Sequence, residues 1–334
     1  MIFNWNRSIW DLAWQRGTDL PPALLLAGPS GVGKGDFAQA LAQAALCATP
    51  SSQHEACGSC HPCRLFAAAS HPDLRLLEAT SAEDAAAAES GSATADSQRI
   101  IGVERIRDLR DFTEMSSHLG GRKVILINPA DRLHPSAANA LLKTLEEPPP
   151  ATFFVLVSAR PQQLLPTLRS RCFRLDFRLP SSETALAWLR ENGIDEPATP
   201  LAHAGGAPLA AAELARSPFW RRRQELTRLL GAADITAVEL ARAVDSAELG
   251  SFSGLLYKWC ADLLSLRLTG RLRYNPDCAK SLGQLAVNSD VLKLQRLMKE
   301  LTAAVRYLEH PLNPRLVCER MALGYTRALS TQEH

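Results

Sequence analysis

Gly28-Pro29-Ser30-Gly31-Val32-Gly33-Lys34 has the G-x-x-x-x-G-K spacing of a phosphate-binding loop. Glycines at Gly28, Gly31 and Gly33 let backbone N–H groups turn inward around a phosphate, and the N-terminus of a following helix adds partial positive charge. Lys34 would reach the outer phosphates. Completing a hydrolytic site needs two further things. One is a hydroxyl after the lysine, to help hold Mg²⁺; here the residue is Gly35. The other is acid at the end of the apolar run Val124–Ile127, yet that run continues as Asn128-Pro129-Ala130-Asp131. Asp131 stands too far along and is expected to cap or brace the next helix. These losses together argue against hydrolysis. Binding is a separate question, because Lys34 and the glycines alone can still hold phosphates.

The second chemical cluster is Cys47, Cys57, Cys60 and Cys63, four of the chain's eight cysteines. Two overlapping C-x-x-C steps share Cys60, and Cys47 falls at the end of an expected helix. Four thiolates at close range suit a tetrahedral Zn²⁺ with no open position, which is a structural site. Nearby Gly58, Ser59, Pro62, His54 and His61 suit a tight knuckle, with His61 an alternative ligand. The competing readings are reduced thiols without metal and a redox C-x-x-C pair. Cys172, Cys260, Cys278 and Cys318 are scattered and read as small buried apolar residues.

The elements that must carry these groups alternate. Ala23–Ala27 is a short apolar run, and a helical pattern covers Asp36–Leu46. Asp73–Leu77 is a weak strand, Val103–Ser117 has helical spacing, and Val124–Ile127 is a buried strand. Ser136–Leu145 is a helix stopped by Pro148–Pro150, and Phe153–Val157 is a further strand. Such βαβ alternation implies a mostly parallel sheet covered on both faces. Beyond Phe177 the strand signals vanish. Ser181–Asn192 is a short helix with Ser181 or Ser182 as cap, His203–Pro208 is a glycine-rich break, and helices follow, clearest over 255–268, 291–308 and 313–329.

The ordered pieces resemble the delta-prime family of bacterial DNA polymerase III clamp-loader subunits, within the AAA+ class, over essentially the whole chain. The resemblance rests on Ala138-Asn139-Ala140-Leu141-Leu142-Lys143-Thr144-Leu145-Glu146-Glu147-Pro148-Pro149, on Leu168-Arg169-Ser170-Arg171-Cys172, and on the cysteine module after the loop helix. Asn313-Pro314-Arg315-Leu316 followed by Glu319 adds to it. It implies an α/β P-loop AAA+ domain over 1–176 with a zinc-binding insertion at 47–63, a small helical lid over 177–213, and an all-α collar over 214–334. It also implies assembly with gamma/tau-type ATPase and delta-type subunits, and contact with the sliding clamp and primer–template DNA through that complex. Arg171 would be an arginine finger reaching a neighbour's nucleotide site; a local ion pair with Asp176 or another acid is the alternative. Two departures bear on activity. Gly205-Gly206-Ala207-Pro208-Leu209-Ala210 lacks the second-sensor arginine of active relatives, and Ser158, near the first-sensor position, offers at most one hydrogen bond to a phosphate.

Bulk properties set bounds. A net charge of +2, from 37 basic and 35 acidic residues, gives no general affinity for nucleic acid, although a local basic face remains open. Arg221-Arg222-Arg223 is expected on an exposed helix face rather than on DNA phosphates. Glu78–Asp96, rich in Ala, Ser and acids, is expected as a mobile loop, or else as an acidic contact segment. No apolar run is long enough to span a bilayer and the first residues lack a signal pattern, so a cytoplasmic location is expected. The function expected is that of a non-hydrolysing stator in a clamp loader. The rivals are a gamma-type ATPase and a zinc-stabilised DNA-binding module.

Overall fold

The computed structural model describes residues 1–15, 20–78, 100–307 and 313–329. Most of the acidic Ala-rich segment 78–96 lies outside them. The chain forms two compact units, 1–180 and 181–334.

In the first unit, five strands form one parallel sheet: β1 (Ala23–Ala27), β2 (Leu74–Glu78), β3 (Lys123–Asn128), β4 (Thr152–Ser158) and β5 (Phe173–Asp176), ordered β2-β3-β4-β1-β5. All of β1 and five of the six residues of β3 are buried, as strands covered on both faces must be. The register sets Ala27 beside Ser158 of β4 and Asp176 of β5, so the strand ends line up. Among the helices, α1 (Arg7–Ala13) precedes the sheet, α2 (Lys34–Leu46) follows β1, and α3 (His61–Ala67) lies beyond it. Next come α4 (Val103–Glu114), α5 (Pro135–Glu146) and the short α6 (Pro166–Arg169). Isoleucine and leucine side chains of α4, including Ile106 and Leu109, share a core with Ile125, Ile127 and Leu156 of the sheet. Lys123 is buried yet satisfied, because its Nζ donates to the carbonyls of Phe112, Thr113 and Met115 at the end of α4.

The second unit is helical: α7 (Ser182–Glu191), α8 (Ala198–His203), α9 (Pro208–Arg216), α10 (Pro218–Leu230), α11 (Ala237–Ala243), α12 (Leu249–Thr269), α13 (Ala279–Asn288), α14 (Val291–Tyr307) and α15 (Pro314–Leu329). Ser181 caps α7 by accepting from Thr184 N, and Ser217 caps α10 by accepting from Trp220 N. Two apolar cores form here. A small one joins Ala185, Leu189, Leu201, Ala211 and Ala212. A larger one is built around Phe252, Leu256, Trp259 and Tyr325, with Trp259 Nε1 donating to Tyr325 Oη at 2.8 Å.

The expectation of an exposed Arg221-Arg222-Arg223 face is corrected: only Arg221 is exposed. Arg222 pairs with Glu248 and donates to Ala243 O. Arg223, 2% exposed, donates to Asn275 Oδ1 at 2.8 Å and to both carboxylate oxygens of Asp277. A helix crossing the rim of a core buries one side, and a guanidinium can be buried when its terminal nitrogens meet a carboxylate and an amide oxygen, as here, although Nε has no hydrogen-bond partner. Asn275 Nδ2 donates to Asp262, which also accepts from the backbone N–H groups of Arg273, Tyr274 and Asn275. Asn275 Oδ1 therefore also faces His203 Nδ1, at 3.3 Å, which must be the protonated ring nitrogen.

This cluster ties α8 to the segment before α13 and makes folding sensitive to acid. Burial first, then the charges of Lys258 and Arg223, push the His203 imidazole down to about 3, against the opposing influence of Asn275 and Asp277. The unfolded chain takes up that proton near pH 6.5, so the contribution of neutral His203 is present above that pH and is lost below it. Each pH unit of acidification below about 6.5 is expected to cost up to about 1.4 kcal/mol from this residue. Urea unfolding of the chain at pH 7.5 and 5.5, compared with His203→Gln, checks it: the variant should show a weaker acid dependence.

Candidate functional site

The loop 28–34 leaves the end of β1 and enters α2, as its spacing requires. Gly28, Gly31 and Gly33 all have positive φ, at 154°, 76° and 89°. At Gly28 the reason is also contact: a Cβ there would lie 2.3 Å from Phe177 O, at the exit of β5. Lys34 is 6% exposed and its Nζ donates to Gly28 O at 2.8 Å and Pro29 O at 2.6 Å. Burial lowers its pKa to about 8, with the Asp131 carboxylate opposing the shift. Gly35 sits in the first turn of α2, and a Cβ there would meet only Asn128 Nδ2, at 3.5 Å.

Asp131 does not cap α5, contrary to the sequence expectation. His134 does, through its ring nitrogen accepting from Ser136 N. Asp131 instead accepts from Ser158 Oγ at 2.8 Å and Ala159 N at 3.1 Å, and pairs with Arg160 at 3.4 Å. The Asn128–Pro129 bond is cis, and Asp131, two residues further on, meets the end of β4. Ser158 likewise directs its hydroxyl proton to Asp131 rather than to an incoming phosphate.

The N-terminal residues were not singled out by sequence reasoning, yet they cover this loop. Trp5 Nε1 and Asn6 Nδ2 both donate to Val32 O, at 3.1 and 2.9 Å. Phe3 lies so close that a Cβ on Gly33 would be 2.5 Å from its ring. The aromatic content of residues 3–14 was the available signal, but a contact 26 residues distant leaves no local pattern.

Four sulfurs gather as their spacing suggested. Cys47 ends α2, Cys57 lies in the loop, Cys60 caps α3, and Cys63 is in its first turn. Their Sγ atoms all lie within 4.8 Å of one another, and those of Cys47 and Cys60 are 3.8 Å apart. Sulfurs placed tetrahedrally about 2.3 Å from one ion would be about 3.8 Å apart, so the donor set fits a metal. His61 is outside the cluster, and His54 stacks on Trp14 at 4.9 Å. Hydrogen bonds from Thr49 and from the N–H groups of Ser59 and Cys60 hold Cys57 down at about 5, while burial pushes Cys63 up to about 12.

Arg171 stands just past α6. Its Nη2 meets Glu146 Oε1 at 2.5 Å and its Nη1 donates to Thr167 O at 2.9 Å. Asp176, one alternative partner, is taken by Arg174 at 2.7 Å. Arg171 thus pairs with an acid of the α5 end and stays about one-third exposed.

A phosphate loop between a parallel strand and a helix, on a five-stranded sheet of order β2-β3-β4-β1-β5, defines a P-loop protein of the α/β class. The family described as "DNA polymerase III, delta subunit" matches residues 13–181. DNA polymerase III subunit delta' of Pseudomonas aeruginosa is 36% identical over 275 residues, covering 80% of this chain and 79% of that protein. The same-named protein of Yersinia pestis is 32% identical over 332 residues, covering 92% and 90%. A gamma subunit-related protein of Thermotoga maritima is 18% identical, with a TM-score of 0.44 over 94% of this chain and 98% of that one. The chain belongs to the DNA polymerase III subunit delta' family.

Two outcomes check the site. Gly28→Ala should lower Tm markedly, since backbone blocks its Cβ and φ is unfavourable, whereas Gly35→Ala should be neutral or stabilising by up to about 1 kcal/mol. Metal analysis of the purified chain should find about one ion, on the four-ligand argument, and Cys60→Ser should lose both the ion and several degrees of Tm. A metal-free chain with four reactive thiols would contradict the second.

Proposed function

We propose that this chain is a non-hydrolysing subunit of the sliding-clamp loader, acting as the stator of its ring and supplying Arg171 to the nucleotide site of a neighbouring ATPase. The observation that carries the reading is at the strand ends. Asp131, the carboxylate whose charge reaches Lys34, is committed to Ser158, Ala159 and Arg160. With Gly35 after the lysine and Asn128-Pro129 at the end of β3, the loop has neither the hydroxyl that assists Mg²⁺ nor a strand-end acid to orient water. Gly28, Gly31, Gly33 and Lys34 then serve to build the fold, whether or not they also hold ATP.

The partners proposed are gamma/tau-type ATPase and delta-type subunits, with the clamp and primer–template DNA engaged through the complex. Residues 177–213 would act as the lid and 214–334 as the collar that joins the ring. Zn²⁺ is the proposed ion of Cys47, Cys57, Cys60 and Cys63, because four thiolates favour a soft ion in a closed tetrahedral site. Its role would be to staple the loop after α2, with no part in the reaction. Among the described residues no helix is long and apolar enough to cross a membrane, and we assign the protein to the cytoplasm, where replication takes place.

A planar guanidinium suits the charge that spreads over a γ-phosphoryl group, and such fingers contribute on the order of 10³–10⁵ in rate. Arg171→Ala should leave folding intact. In a loader reconstituted with its ATPase subunits, it should remove the turnover of the one site that Arg171 faces. Unchanged steady-state ATP hydrolysis would sink the assignment. The purified chain alone should show no turnover; measurable hydrolysis would instead favour a gamma-type ATPase.

A further inference from the structure

We infer that Glu146 is a positioning residue for Arg171, holding the guanidinium against its own subunit until a neighbour's nucleotide draws it away; the inference rests on the finger reading above. Glu146 is the last residue of α5, and Glu147 follows it. A helix C-terminus carries partial negative charge, so two carboxylates there are poorly placed without a cation. Lys143 lies in that last turn, and Arg171 supplies a second positive charge from just past the end of α6. The guanidinium bridges two helix ends: Nη2 meets Glu146 Oε1 at 2.5 Å, and Nη1 donates to Thr167 O in α6 at 2.9 Å.

The form of the contact makes it releasable. The contact is a surface ion pair between Arg171 Nη2 and Glu146 Oε1. Arg171 is 34% and Glu146 50% exposed, so water screens their attraction. A γ-phosphate offers more charge and three oxygens in the geometry that a guanidinium matches with two parallel bonds. Glu146 therefore keeps Arg171 in a defined position when no phosphate is near and gives way when one arrives. Asp176 is not a competing partner, because Arg174 occupies it through both Nε and Nη2. Every group in this arrangement belongs to the first unit, so it needs no assumption about how the two units are placed.

The test is a double-mutant cycle in the reconstituted loader, reading kcat/KM for ATP. Glu146→Gln, an isosteric change at a half-exposed position, should raise kcat/KM by about 1.4- to 5-fold, the range that an exposed ion pair spans. Glu146→Asp, which keeps the charge, should fall between Glu146→Gln and the unaltered chain. In an Arg171→Ala background the Glu146→Gln gain should vanish, because there is no finger to release; a purely structural role would not depend on Arg171. No gain, or a loss, from Glu146→Gln while Arg171→Ala depresses turnover would overturn the inference and leave the finger reading standing. A gain that persists beside Arg171→Ala would also overturn it, by placing the action of Glu146 elsewhere. Full activity of Arg171→Ala would remove the finger reading itself, and the inference with it.

Discussion

Lys34 is an ammonium that the fold keeps almost entirely from water, and much of the first unit is arranged around that fact. A buried cation must be met by hydrogen bonds and opposing charge or it will shed its proton. Gly28 O and Pro29 O meet two of its donors, which requires the loop to curl at backbone angles that Gly28, Gly31 and Gly33 can adopt. Asp131 supplies the opposing charge, and its own oxygens are held by Ser158, Ala159 and Arg160. Lys34 thus holds the loop after β1, while Asp131, just beyond β3, is tied to the end of β4.

The second unit shows a related economy at a different place. Arg223 is buried among helices, its two terminal nitrogens bonded to Asp277 and Asn275 while Nε has no hydrogen-bond partner, and Asp262 gathers the backbone of Arg273, Tyr274 and Asn275. A buried ionic cluster of this kind adds little net stability over apolar packing, but losing one member leaves a buried charge unpaired. Its effect is to fix one arrangement of α8 against the turn before α13. Apolar cores on either side, around Leu189 and around Trp259, would tolerate sliding more readily than this polar joint does.

Much of this was legible in the sequence, where the period or spacing was local. The glycine loop, β1, β3, β4 and the cysteine cluster all announce themselves within ten to twenty residues, and the structure places them as read. β5 was not recognised, because it is an edge strand in which only Leu175 is buried and Phe173 and Asp176 remain exposed. α3 was hidden by a reading of its residues as metal ligands, though Cys60 and Cys63 are compatible with both. The partners of Asp131 lie 27 to 29 residues away, so sequence proximity pointed to α5 when the sheet register pointed to β4. Arg223 misled for the opposite reason: a run of three arginines looks like a surface stripe, yet successive residues on a helix point 100° apart and one of the three must face inward.

A loop that builds a fold and an arginine proposed to act on another chain make different demands on one domain. Lys34 is held by the carbonyls of its own loop, and Asp131 is held by Ser158, Ala159 and Arg160, which makes the strand ends rigid. Arg171 lies outside that bracing network. It stands just past a short helix, and among the described residues its partners are Glu146, Thr167 O and Ser170 Oγ, none of which contacts Lys34. Rigidity at the strand ends and freedom at Arg171 are therefore compatible in one domain. For the proposed stator, that separation is the useful property: the subunit can hold its shape while its arginine answers to the state of a different chain.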